Sequence, residues 1–216
     1  MSEHAAPGPA DPTPEDAARA AFYALLARLF TTGPDAPLLA AIAGAEPLTV
    51  AAPSDAAADD GAQGLAAAWD ALRAASAVGD PDAIRQEYDD LFVGVGKSEV
   101  NLHASHWLTG FMMEKPLAEL RSTLAGLGLG RRAGAMLVED HVAAVFETMR
   151  ILVGGGEMAA PAPFATQKTF FERHIAPWAS RCFDEIVMSP LAIYYRAVAQ
   201  FANNYLAIER DAFAID

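Results

Sequence analysis

The chain has 216 residues, 53% of them hydrophobic, with 15 Lys+Arg against 28 Asp+Glu and a formal charge of −13. A chain of this length buries about 70% of the surface its unfolded form exposes, so its core needs neither disulfide nor metal. The acid excess lies almost wholly in residues 1–90, at net −11 against −2 for the remainder, which argues against nucleic acid or an anionic membrane surface as partner and favours a cationic one. The 48 alanines inflate the hydrophobic count, because alanine favours helix but buries little area. Cys182 is the only cysteine, so no intrachain disulfide, CxxC pair or thiolate metal cluster can form, in keeping with a reducing compartment. The N-terminus has neither a basic nor an apolar leader region, and no stretch approaches the roughly 18 apolar residues of a spanning helix. These features predict a soluble, cytoplasmic protein.

Residues 1–12, rich in Pro and Ala, predict a disordered tail, and residues 13–216 a single folded domain. Thr13 and Pro14 start a first helix, with Glu15 and Asp16 in the first turn and Phe22, Leu25, Leu26, Leu29 and Phe30 at helical spacing; Gly33-Pro34 ends it. A short helix follows from Pro37 to Ala43, then a Pro/Ala/Asp-rich loop from Glu46 to Gly61. The next helix carries Leu65, Trp69 and Leu72. Asp80-Pro81 opens another, with Ile84, Tyr88, Leu91 and Phe92 on one stripe, broken at Gly94-Val95-Gly96. An irregular segment from Lys97 to Trp107 precedes a helix from Pro116 to Leu127, and a further helix runs from Glu139 to Val153. Phe164 to Met188 reads as a helix bent at Pro177, and Ser189-Pro190 caps the last helix. With no period-two alternation, the pattern predicts an all-α fold, one compact irregular bundle of about eight to ten helices.

Three groups of residues invite chemistry. Gly94 to Ser98 ends in GKS, but a phosphate-binding loop needs glycine where Leu91 stands and a strand where a helix precedes; a helix-ending turn fits better. Glu99, His103 and His106 would share a face if helical, which would suit a metal-dependent enzyme, and Ser105 with histidine would suit acyl transfer; neither carries an accompanying motif. Glu139-Asp140-His141 reads either as a helix cap or as an acid and imidazole pair at the mouth of a groove.

Taken together, EYDDLFVGVGKSEVNLHASHWL (Glu87 to Leu108), VEDHVAAVFETMRIL (Val138 to Leu152) and FFERHIAPWASRCFDEI (Phe171 to Ile186) with the aromatic helix after it resemble the TorD-like family of cytoplasmic chaperones, including its DmsD and NarJ branches. The resemblance implies a chaperone, not an enzyme, without a cofactor of its own, acting on molybdenum-cofactor oxidoreductases, many of which carry twin-arginine leaders. It matches Tyr88, Leu91 and Phe92 to the family's helix, Gly94 and Gly96 to its glycine turn, Ser105 and Trp107 to the segment beyond, and Asp140 and His141 to a pair implicated in leader recognition. Val95 replaces the family's usual proline, His103 a tyrosine, Ala104 a glutamate and Glu139 a proline.

The implied partners are an apo oxidoreductase subunit and its leader peptide, with a lean towards a formate dehydrogenase-type client from the Gly-Val-Gly turn and the histidines. Stable membrane association is not implied, and family members occur as monomers or helix-exchanged homodimers. A leader of basic then apolar residues needs an apolar groove between helices with carboxylates at one end. The resemblance implies Asp140 as the close arginine partner, and Tyr88, Phe92 and Trp107 as contacts for the apolar segment.

Overall fold

A computed structural model describes residues 13–49, 56–94, 98–130, 134, 136–157 and 159–215. The expected N-terminal tail, along with Val95, Gly96 and Lys97 of the glycine turn, lies outside these residues. Among the described residues the chain forms ten α-helices and one π-helical turn, with no strand: α1 (Pro14–Thr31), α2 (Ala36–Ala43), α3 (Ala56–Val78), α4 (Pro81–Tyr88), the π turn (Asp89–Val93), α5 (Ala104–Thr109), α6 (Lys115–Gly126), α7 (Val142–Gly154), α8 (Phe164–His174), α9 (Ala179–Met188) and α10 (Tyr194–Ala214).

Several starts follow directly from local chemistry. Thr13 accepts from the Asp16 N–H while Asp16 reaches back to Thr13, a capping box with Pro14 inside it. Asp35 caps α2 through the Leu38 N–H, and Asp80 caps α4 through the Asp82 N–H. The bend at Pro177 separates α8 from α9.

Elsewhere tertiary contacts move the boundaries. The expected loop from Glu46 to Gly61 is shorter, because α3 already begins at Ala56 in an alanine-rich run. The irregular stretch from Lys97 to Trp107 gives way to α5 at Ala104. The last helix starts at Tyr194, without Ser189-Pro190 as its cap: the Glu87 carboxylate, from α4, accepts from the N–H groups of Ile193, Tyr194 and Tyr195 at 2.9, 3.0 and 2.8 Å.

The principal packing is α1 against α7, with α10 held between α3 and α9. Tyr23, Leu26, Leu29 and Phe30 of α1 meet Phe146 and Met149 of α7, all fully buried. Aromatic rings carry the core across to α10, where Phe22 lies 5.2 Å from Phe201 and Tyr23 5.0 Å from Tyr205, and to α9, where Phe30 stacks on Phe183 at 5.4 Å. Close approach of α1 and α7 depends on Gly154, where a Cβ would lie 2.9 Å from the Ala20 methyl.

One buried charge cluster ties α1, α8 and α10 together. Arg19 forks onto both oxygens of Glu209 at 2.7 and 2.9 Å and donates to Gln167, while Tyr23 donates to Glu209 at 2.9 Å. The guanidinium also lies over the rings of Phe164 and Phe213. Glu209→Leu leaves Arg19 with only the partly exposed Asp16 carboxylate, at 3.2 Å, as counter-charge and should cost about 3 kcal/mol in urea unfolding, whereas Arg19→Met with Glu209→Leu should cost clearly less.

Candidate functional site

The segments before α5 and before α7 lie side by side and hold each other. Ala104 N–H donates to the Asp140 carbonyl at 2.9 Å and Val142 N–H to the Leu102 carbonyl at 2.8 Å, which pairs His103 with His141 in an isolated antiparallel bridge. Asp140 is 1% exposed, and its Oδ2 accepts from the Ser105 N–H at 3.0 Å. It thus caps α5 from a distant segment, which explains how six residues hold a helix. His141 caps α7 itself: its Nδ1 accepts from the Ala143 N–H at 3.2 Å. The sequence triplet therefore splits, with Asp140 serving one helix, His141 another, and Glu139 turned to Arg121 at 2.9 Å.

The two imidazole rings stand edge to face, 5.0 Å between centroids. Burial, reinforced by His103, pushes His141 down to about 3; burial also lowers His103, against the raising effect of Asp140. Asn101 organises the outer side, its Oδ1 accepting from the His103 N–H at 2.9 Å and its carbonyl from the Trp107 indole at 2.6 Å. Arg181 covers the Trp107 ring.

The α4 residues form a second group. Tyr88 is buried, its hydroxyl donating to the Phe30 and Thr31 carbonyls at the end of α1, and burial pushes it up to about 12. Leu91 is fully buried; Phe92 is half-buried, 5.0 Å from Tyr195. Gly94 closes the π turn at φ 60°, its N–H donating to the Asp89 carbonyl. Gly96 falls outside the described residues. Among the described residues one backbone bond, Val100 N–H to the Leu91 carbonyl at 2.9 Å, joins this group to the first. Of the residues singled out from sequence, Phe92, His103 and Trp107 retain partial exposure, while Tyr88, Leu91, Ser105, Asp140 and His141 are buried. Among the described residues no three His, Cys, Asp or Glu side chains converge as a metal-holding group, and Ser105 Oγ, fully buried, has no hydrogen-bond partner.

The surface feature next to this junction is a groove of about 640 Å³ between α1, the end of α6 and α7, within the size range of ligand sites. Its α-helical walls present Ala24 and Ala27 on one side and Ala143 and Ala144 on the other, with Leu124, Leu129, Leu137 and Ile151 around them. Glu139 at the mouth of α7 and Glu147 in its second turn bring two carboxylates to the lining, each paired with an arginine outside it: Arg121 at 2.9 Å and Arg150 at 2.8 Å. Arg28, also on the lining, turns to Asp35. Helical spacing alone marks Phe and Leu as the working face of α1; the signal for this groove is the pair Ala24 and Ala27 at the edge of that face.

A family model described as nitrate reductase delta subunit matches residues 58–184, more than half the chain. No curated protein matches it.

The buried histidine gives the junction a pH signature. Unfolded, His141 takes up a proton near 6.5; folded, only near 3, so its contribution is intact above 6.5 and is lost as pH falls towards 3. Between pH 7 and pH 5 the loss is about 2 kcal/mol. His141→Asn keeps a side-chain cap for α7 and removes the titration, so urea unfolding of that variant should lose this part of the pH slope.

Proposed function

We propose that this chain, which belongs to the nitrate reductase delta subunit family of molybdoenzyme maturation chaperones, binds the leader or an equivalent segment of an apo oxidoreductase subunit in the groove between α1 and α7 and holds it until the molybdenum cofactor is inserted. The observation that carries this is an apolar groove with carboxylates on its lining. An extended or helical apolar segment finds aliphatic walls, and arginines beside it find Glu139 and Glu147. The incoming guanidinium groups exchange with Arg121 and Arg150, so binding replaces two surface ion pairs by two that water reaches less.

On this view Asp140 and His141 are positioning residues. They set where α5 and α7 begin, and so where Glu139 stands; Phe92, His103 and Trp107 form the partly exposed ground beside the glycine turn, where a longer client continues. Nothing in this role calls for catalysis or for a bound metal. The family acts in the cytoplasm, and the same place is proposed for this chain. The client is an oxidoreductase subunit carrying the pterin-bound metal, and the lean to a formate dehydrogenase type is tested by comparing its leaders with those of nitrate reductases.

The deciding experiment is calorimetric titration with a synthetic leader bearing Arg-Arg before a moderately apolar stretch. Glu139→Gln with Glu147→Gln should weaken binding about tenfold or more at native circular dichroism, and a Lys-Lys leader should bind less well, since only arginine forks onto a carboxylate. Added salt should weaken the wild-type complex. Asp140→Asn, whose amide oxygen can still accept from Ser105, should have the smaller effect. Unchanged affinity in the double variant would move the leader off this groove, and an Asp140→Asn loss larger than that of the double variant would restore Asp140 as the direct partner.

A further inference from the structure

A second cleft, of about 400 Å³, lies where the end of α3, the start of α4 and the turn before α10 meet, and it shares no lining residue with the groove between α1 and α7. Around it Val78, Leu191 and Ile193 are 86%, 46% and 82% exposed. Aliphatic side chains exposed singly are ordinary, but three around one concavity make a patch that water wets poorly.

The patch is held rigid. The Glu87 carboxylate fixes the backbone of Ile193, the Leu191 N–H donates to Ser189 Oγ at 3.2 Å, and the Tyr194 hydroxyl meets Ser76 Oγ at 3.1 Å. A side chain docking here would lose little to ordering the receptor.

The charge on the lining is of one sign. Asp80, Glu87 and Asp90 belong to it and no Lys, Arg or His does. Glu87 is committed to the α10 N-terminus, whereas Asp80 and Asp90 are bonded to neutral groups, the Asp82 N–H and the Gln86 amide. A second copy of the chain is a poor occupant, because a two-fold contact would set these carboxylates against their own copies in a protein of net charge −13.

We propose that this cleft docks a cationic amphipathic helix of a partner protein, with its aliphatic face on Val78, Leu191 and Ile193 and its lysine or arginine side chains against Asp80 and Asp90. This site stands independently of leader binding.

The cleft can be read locally, because Cys182 is buried and burial pushes its thiol up, so that Val78→Cys takes an environment-sensitive fluorophore at one place. The full-length labelled chain is titrated with an amphipathic peptide of leucine and lysine and with its leucine–glutamate counterpart. The lysine peptide should give a saturable response and the glutamate peptide none. Ile193→Ser and Asp90→Lys, both at exposed positions, should each weaken the response about fivefold or more, and Glu139→Gln with Glu147→Gln should leave it unchanged. No response to the lysine peptide, an equal response to both peptides, or unchanged affinity in both cleft variants would overturn the proposal. So would a dimer in sedimentation that Ile193→Ser dissolves, since a second copy would then hold the cleft.

Discussion

The three hydrogen bonds from the first turn of α10 to the Glu87 carboxylate are the constraint on which most of the structure rests. The start of α10 offers no side-chain cap of its own, yet this helix supplies Tyr195, Val198, Phe201, Ala202 and Tyr205 to the core. Hydrogen bonds to a charged group are worth about 1.5–3 kcal/mol each, and unpaired amides at a partly buried helix start would cost a similar amount. Because Glu87 belongs to α4, the same contact fixes α4 against α10. Tyr88, the next residue, then reaches the final carbonyls of α1, and the π turn after it sends Leu91 inward and sets Phe92 on Tyr195. One carboxylate thus registers three helices.

Alanine acts at a different level. On α1 the large residues Tyr23, Leu26 and Phe30 fill the core, while Ala24 and Ala27 face the space beside α7. Larger side chains there and at Ala143 and Ala144 would close the groove. The high alanine content that makes the hydrophobic percentage a poor measure of core size is, at these four positions, what leaves an apolar channel open. Gly154 complements them at the far end of α7 by letting the helices converge on Ala20.

Features that depend on neighbours in sequence were legible from sequence: the Thr13 and Asp80 starts, the apolar stripes, the Pro177 bend, the all-helical class and the three segments that carry the family resemblance. Features that depend on distant partners were not. Ser189-Pro190 has the chemistry of a cap, but Glu87, more than a hundred residues earlier, performs it. Asp140 looks like the cap of its own helix and instead serves α5, because the antiparallel bridge brings Ser105 to it. No spacing rule connects these positions. The groove escaped for the same reason, since its walls come from three helices and include four alanines that a core-seeking pattern passes over.

The location of the charge shows why sequence position is a poor guide to electrostatic role. The excess of −11 lies before residue 91, yet the carboxylates on the larger groove, Glu139 and Glu147, come from the nearly balanced remainder. At physiological ionic strength charges separated by more than about 8 Å are largely screened, and the acidic half puts no carboxylate on the lining itself; Asp35, its carboxylate paired with Arg28 there, is already committed. The acidic half can raise the rate of encounter with a cationic partner and, through Asp80 and Asp90, mark a separate surface for one. Close pairing at the larger groove therefore comes from a different part of the chain than the bulk of the charge. A bulk property such as net charge reports the latter, and the former is visible only once the helices are packed.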